Sequence, residues 1–292
     1  MKFRAHDTFY VRKGWINKGM KNVANDPEVF VSKAVKPTDK LGIGSNMVKA
    51  LRYWLQVFGL TEEPNFGKRL QSFTSLGIQV YENDRYIEEL GTLELLQYKI
   101  ANAEDQATSW YVFFNEFNLS EFTKDDLVRT LDNYVGMKGE DAPAKRSLED
   151  DFNCIINTYL PRYKSGRKVD PENNIDSPFG ELGLIDIVDK TKKVYKKAIP
   201  SVYAFHPWVI LAILMDKAND NEEISLNELL NSPGNIGKVF NLDSVTMLEI
   251  LHNVEKTGNI KIVRTAGLDV IRIINSYTFD QCVEKYYEEI QN

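Results

Sequence analysis

The sequence predicts a mainly α chain with small β-ribbons, an α+β fold built from more than one winged helix-turn-helix-like module. Three observations predict it. Apolar residues recur at helical spacing in several segments, short alternating β-branched runs follow helices, and Gly and Pro cut the chain into short units. The 292 residues suffice for two or three compact units, and 43% hydrophobic against 27% charged residues is ordinary globular usage, which excludes a disordered chain.

Near the start, Asp26-Pro27 is expected to open a helix through Val29, Phe30 and Ala34, ended by Pro37. From Asn46 onward Met47, Val48, Leu51, Trp54, Leu55 and Phe58 fall on one side of a helix, while Ser45, Lys49, Arg52 and Gln56 fall on the other. Ser45 reads as its N-cap and Gly59 as the residue just past its end. The segment Asn65–Leu70 followed by Phe73–Val80 reads as a short ribbon, or a loop with a strand. Helix, turn, basic helix and ribbon is the order of a winged helix-turn-helix.

In the middle, helices are expected at Thr123–Val135 and Ser147–Leu160, then a polar loop and Leu182–Val188. Thr123 with Asp126, and Ser147 with Asp150, resemble capping boxes. At the C-terminus the winged order is clearer. Pro207–Met215 is an apolar helix, Glu223–Leu226 a short strand, Glu228–Phe240 a helix broken near Pro233-Gly234, and Ser244–Lys256 a helix with Val245, Leu248, Leu251 and Val254 inward. Asn259–Arg264 and Asp269–Ile274 then alternate as a hairpin about Ala266-Gly267.

Charge divides the chain. Residues 1–80 hold 13 Lys and Arg against 6 Asp and Glu, or +7, whereas residues 81–292 hold 23 against 36, or −13, giving the net −6. A surface for a polyanion is expected in the first quarter. The longest apolar run, Trp208–Met215, is far short of the roughly 20 residues that cross a bilayer, and the N-terminus lacks the apolar core of a secretory signal, so no membrane contact and a cytoplasmic location are expected. Cys154 and Cys282 are too far apart in sequence for a metal knuckle and read as reduced core thiols. P-loop, dinucleotide, nucleophile-elbow and His-Glu-x-x-His motifs are absent, which argues against ATP or NAD chemistry in this chain.

The candidate DNA-binding set is Ser45, Asn46, Lys49, Arg52 and Gln56 on the basic helix, with Lys68 and Arg69 on the following turn. Arg forks onto guanine, Asn and Gln onto adenine, and Lys and a helix N-terminus favour phosphate. An ordinary solvated helix face is the competing reading. Lys164, Arg167 and Lys168 and the lysines at 190–197 read as solubilising loops. His6, Asp7 and Arg12 are the one place where a base, a carboxylate and a guanidinium occur together, which makes them the candidate catalytic residues. A bracing role for His6 and Asp7 around Trp15 is the favoured reading. The acidic C-terminal unit, 7 Lys and Arg against 13 Asp and Glu over residues 201–292, exposes Glu249, Asn253 and Lys256 and suits protein contacts, by homodimerisation or by docking a partner.

Four segments together resemble one family. Phe3-Arg4-Ala5-His6-Asp7-Thr8-Phe9 with Arg12 and Gly14-Trp15 resembles its opening, and Leu41-Gly42-Ile43-Gly44-Ser45-Asn46-Met47-Val48 with Arg52-Tyr53-Trp54 resembles its helix. Gly91–Leu96 with Ala107–Asn115 resembles its third block, and Ser177–Ile185 its fourth. This is the domain-of-unknown-function family whose genes neighbour phosphoadenosine-phosphosulfate-reductase-like enzymes, the SspB-like proteins of DNA phosphorothioation systems. The resemblance implies a role on double-stranded DNA in phage defence, with DNA nicking as the family member's activity. It also implies sulfur-transfer and ATPase proteins as partners, and it transfers no catalytic residue to a numbered position. Magnesium or manganese is the expected cofactor if the chain nicks DNA. The alternative function is a non-enzymatic winged-helix adaptor or transcriptional regulator. The expected domains are a basic DNA-binding one over 1–120, a middle helical one over 121–200 and an acidic one over 201–292.

Overall fold

The computed structural model describes residues 1–64, 69–160, 177–218, 221–265 and 268–291. Its first helices are α1 (Trp15–Asn25), α2 (Pro37–Leu41) and α3 (Ser45–Val57). The helix expected from Asp26 is a run of turns instead, because Pro37 occupies the first turn of α2 and starts a helix where it was read as ending one. Helix α1 buries Trp15, Ile16, Met20 and Val23, and Gly19 inside it lets Leu55 of α3 close in: an added Cβ would lie 2.7 Å from that side chain.

Helix α3 buries Val48, Leu51, Trp54 and Leu55, as its periodicity predicts. Gly59 follows it at φ 65°, and the amides of Gly59 and Leu60 donate to the carbonyls of Gln56 and Leu55, the double closure of a Schellman end. A two-residue ribbon follows, β1 (Thr61–Glu62) antiparallel to β2 (Ser72–Phe73). Beyond it the expected strand is a helix, α4 (Ser75–Asn83). Thr74 caps α4 by accepting from the Gly77 amide, and a Cβ on Gly77 would sit 1.9 Å from the Leu60 carbonyl oxygen, so this glycine serves close helix packing.

Helices α5 (Leu90–Ala101) and α6 (Thr108–Tyr111) lead into a π-helical turn, Val112–Glu116, and then β3 (Glu121–Phe122), α7 (Lys124–Met137) and α8 (Lys145–Tyr159). The Thr123–Asp126 capping box is present. Ser147 lies inside α8, two residues past its start, so it caps nothing. A 3-10 turn, Pro178–Leu182, precedes β4 (Ile185–Asp189) and β5 (Val194–Lys197), and the sheet order is β3-β5-β4, all antiparallel.

The last stretch comprises α9 (Pro207–Ala218), β6 (Glu223–Ser225), α10 (Leu226–Asn231), α11 (Ile236–Val239), α12 (Ser244–Glu255), β7 (Ile260–Thr265), β8 (Leu268–Ile273) and α13 (Phe279–Ile290). The sheet order is β6-β8-β7, with Glu223 opposite Arg272 and Ile262 opposite Ile271. The break between α10 and α11 falls at Pro233-Gly234 as expected, while the Ala266-Gly267 turn lies outside the described residues. Val245 is exposed rather than inward, since it sits one residue from the start of α12, before the core-facing stripe of Met247, Ile250, Leu251 and Val254.

The parts share a continuous aromatic core. Trp54 stacks on Phe58 at 5.3 Å, Phe58 on Phe179 at 5.0 Å, Phe179 meets Tyr159 at 5.8 Å, and Tyr159 meets Phe114 at 5.3 Å. This chain of rings ties α3 to the middle helices. Cys154 and Cys282 are free, buried thiols, and burial pushes the Cys282 thiol up to about 12. Among the described residues no helix is long and apolar enough to cross a membrane.

Candidate nucleic-acid interface

The exposed end of α3 carries the clearest cationic feature of the first quarter. Its N-cap is Gly44, which has no side chain to accept from the first-turn amides, and Ser45 is the first helical residue rather than the cap. Ser45, Asn46 and Lys49 are all exposed there, and the Lys49 Nζ donates to Asn46 Oδ1 at 3.3 Å. An uncapped helix start beside an ammonium attracts anions, because free amides and the positive end of the macrodipole point the same way.

Further along the same helix the geometry changes. Arg52 and Gln56 were expected to face outward, yet both turn onto Glu63, the residue after β1. The Arg52 guanidinium donates through Nε and Nη2 to Glu63 Oε1, Gln56 Nε2 donates to the same oxygen at 2.7 Å, and Gln71 Nε2 donates to it as well. Gln71, only 1% exposed, accepts in turn from the Thr61 hydroxyl at 2.8 Å. These bonds lash the ribbon to α3 and neutralise Arg52 with a carboxylate 11 residues away. Glu63 is the site residue that periodicity missed; the only trace of it in the sequence is the pair Glu62-Glu63 within an otherwise cationic stretch.

Arg69 is exposed at φ 50°, on the chain entering β2, while Lys68 lies outside the described residues. Lys33 and Lys36, between α1 and α2, are exposed too, whereas Lys40 pairs with Asp26 at 2.7 Å and thereby holds that carboxyl below its usual range. Lys164, Arg167 and Lys168 lie outside the described residues.

The residues His6, Asp7 and Arg12 do not converge on a common point. His6 is wholly buried, its Nδ1 accepting from the Thr8 amide at 3.1 Å and its Nε2 donating to Asp151 Oδ1 at 2.7 Å. Asp151, itself buried, also accepts from the Arg4 amide at 2.8 Å and the Ser109 hydroxyl at 2.6 Å. The imidazole stacks on Trp54 and meets the edge of Trp110, so this knot pins the N-terminal segment to α3, α6 and α8. Arg12 spreads its guanidinium over the rings of Phe9, Tyr10 and Trp15, and Asp7 is half-buried in the turn before them. The carboxylate partner of His6 lies 145 residues away, beyond the reach of any local motif.

In the C-terminal unit Glu249 and Lys256 are exposed, with Lys256 donating to Asn253 at 2.9 Å. Among the described residues no three His, Cys, Asp or Glu side chains are grouped to hold a metal ion.

Residues 3–287 match the model of a family described as "Protein of unknown function (DUF4007)". No curated protein matches the chain. Among solved structures, a magnesium-bound SspB crystal structure is similar at a TM-score of 0.86 and 28% identity, covering 100% of this chain and 88% of that one. A second SspB crystal structure gives 0.84 and 27% over the same shares.

Proposed function

The chain belongs to the DUF4007 family, and from that premise we propose that it is a DNA-binding component of a DNA phosphorothioation and phage-defence system, acting in the cytoplasm. Its likeness to SspB over its whole length supports that system. The observation that carries the DNA contact is the bare start of α3, where Ser45, Asn46 and Lys49 stand exposed within the first 80 residues, whose net charge is +7.

In this reading two winged-helix modules flank a helical middle, with domains over 1–120, 121–200 and 201–292. The first presents the α3 start to a phosphate of double-stranded DNA, with Arg69 on a further phosphate. Arg52 and Gln56 hold the ribbon in place through Glu63 and enter the DNA contact only when that carboxylate is released. The acidic C-terminal module repels phosphate and serves protein contacts, with the sulfur-transfer and ATPase proteins or with a second copy.

The test is binding of a short duplex by fluorescence anisotropy across a salt series. Lys49→Ala and Arg69→Ala should each weaken binding and together flatten its salt dependence, and an unchanged affinity in the double variant overturns the reading. Nicking is the finer activity that the resemblance implies. Incubation of supercoiled plasmid with magnesium or manganese separates it from the adaptor or regulator, since only a nickase produces the open circle.

A further inference from the structure

A second cationic feature lies outside the first quarter of the chain. Between the π-helical turn, β5 and the junction of α11 with α12 is a cleft of about 480 Å³, within the size range of small-molecule sites. Leu119, Ile199 and Leu230 line it, and the first two are 46% and 49% exposed. Two ammonium groups, Lys197 and Lys238, line it as well.

Both ammonium groups have neutral acceptors. Lys197 Nζ donates to the carbonyls of Phe113 at 2.6 Å and Phe117 at 2.7 Å, which the π-helical turn leaves available, and its third proton remains. Lys238 Nζ donates to Asn118 Oδ1 at 2.8 Å. Burial, with the nearby Lys238 charge adding to it, lowers the Lys197 ammonium to about 7. The described lining holds one carboxylate, Asp243, which accepts from the Thr246 amide at 2.7 Å and is held ionised by that bond. With both lysines protonated, two ammonium groups against the Asp243 carboxylate leave one positive charge unbalanced, and a bound carboxylate favours that protonated state of Lys197.

We propose that this cleft receives a single carboxylate carried on an apolar body, the carboxylate set between Lys197 and Lys238 and the body against Leu119, Ile199 and Leu230. A monoanion closes the charge balance, whereas a phosphate dianion exceeds it and faces Asp243. The apolar wall selects against a nucleic-acid strand. A free aliphatic acid and the C-terminal residue of a polypeptide share this chemistry.

The experiment is calorimetric titration of the full chain with hexanoate, hexanamide, N-acetyl-alanyl-leucine and the amide of that dipeptide. At least one acid should bind, with its amide at least about tenfold weaker. Lys238→Gln should weaken the acid by about tenfold with an unchanged melting temperature. Lys197→Met strips two carbonyls of their donor and is expected to lower stability, so Lys238→Gln carries the test. Binding of the peptide acid alone assigns the site to a chain terminus, and binding of hexanoate assigns it to a small acid. Equal binding of acid and amide, no effect of Lys238→Gln, or no binding up to about 10 mM overturns the proposal.

Discussion

Arg52 and Glu63 close on one another across the end of α3, and the same carboxylate oxygen gathers Gln56 and Gln71. The pair is about three-quarters buried, with side chains 24% and 22% exposed, so it is screened less than a surface ion pair. It decides which cations of the first quarter are free.

Glu63→Gln keeps the shape of the hub and removes its charge. Arg52 is then unpaired, and affinity for a short duplex is expected to rise, with a salt slope steeper by about one phosphate contact. Anisotropy against salt measures it; a Glu63→Gln variant that binds as the parent does would place Arg52 out of reach of DNA.

Brace and contact separate by two further substitutions. Arg52→Ala leaves Glu63 without its main partner and should cost about 1–3 kcal/mol in urea unfolding, with little change in salt slope. Lys49 is exposed and its ammonium donates to Asn46, so Lys49→Ala should leave unfolding unchanged within about 0.5 kcal/mol, while lowering the salt slope by about one.

The His6–Asp151 knot predicts a stability phenotype. Asp151→Ala leaves the His6 Nε2–H, the Arg4 amide and the Ser109 hydroxyl without their acceptor, and His6→Ala removes one of three donors to Asp151 and opens a gap between Trp54 and Trp110, each at a cost of about 1–3 kcal/mol. Denaturant melts check this, and per folded molecule the duplex affinity should be unchanged. A His6→Ala chain of normal stability that lost only a DNA activity would instead return His6 to the catalytic role.

Glu94 predicts a pH dependence. It is 1% exposed on α5, and burial raises its pKa well above the usual range, offset only in part by the nearby His206 backbone amide. The unfolded chain releases this proton near pH 4.5 while the folded chain keeps it. Stability therefore falls as pH rises between the unfolded and folded values, by about 1.4 kcal/mol per pH unit for this one proton. Glu94→Gln removes that slope, so its melting temperature should exceed that of the parent at pH 7.5 and approach it near pH 4.5. Parallel melting curves of the two proteins across that range would show no convergence if Glu94 ionises freely in the folded state.

Much of the fold is legible in local chemistry. The stripe of α3, the Thr123 capping box, the Pro233-Gly234 break and the C-terminal hairpin follow from spacing and turn residues alone. The failures are local rules overruled by packing. Helix α1 contains Gly19 because Leu55 crosses it, which blurs its pattern, and Leu76–Val80 alternates like a strand yet coils because Thr74 caps it and Gly77 lets the Leu60 carbonyl approach.

Composition and spacing place a cationic first quarter, an acidic remainder, and the helices that carry those charges. Which of those charges stay free is settled by the folded packing. Arg52 meets a carboxylate 11 residues away, His6 one 145 away, and Lys197 a carbonyl 84 away. An ion pair depends on distance in space and on the water excluded around it, and neither quantity is written in the order of the residues.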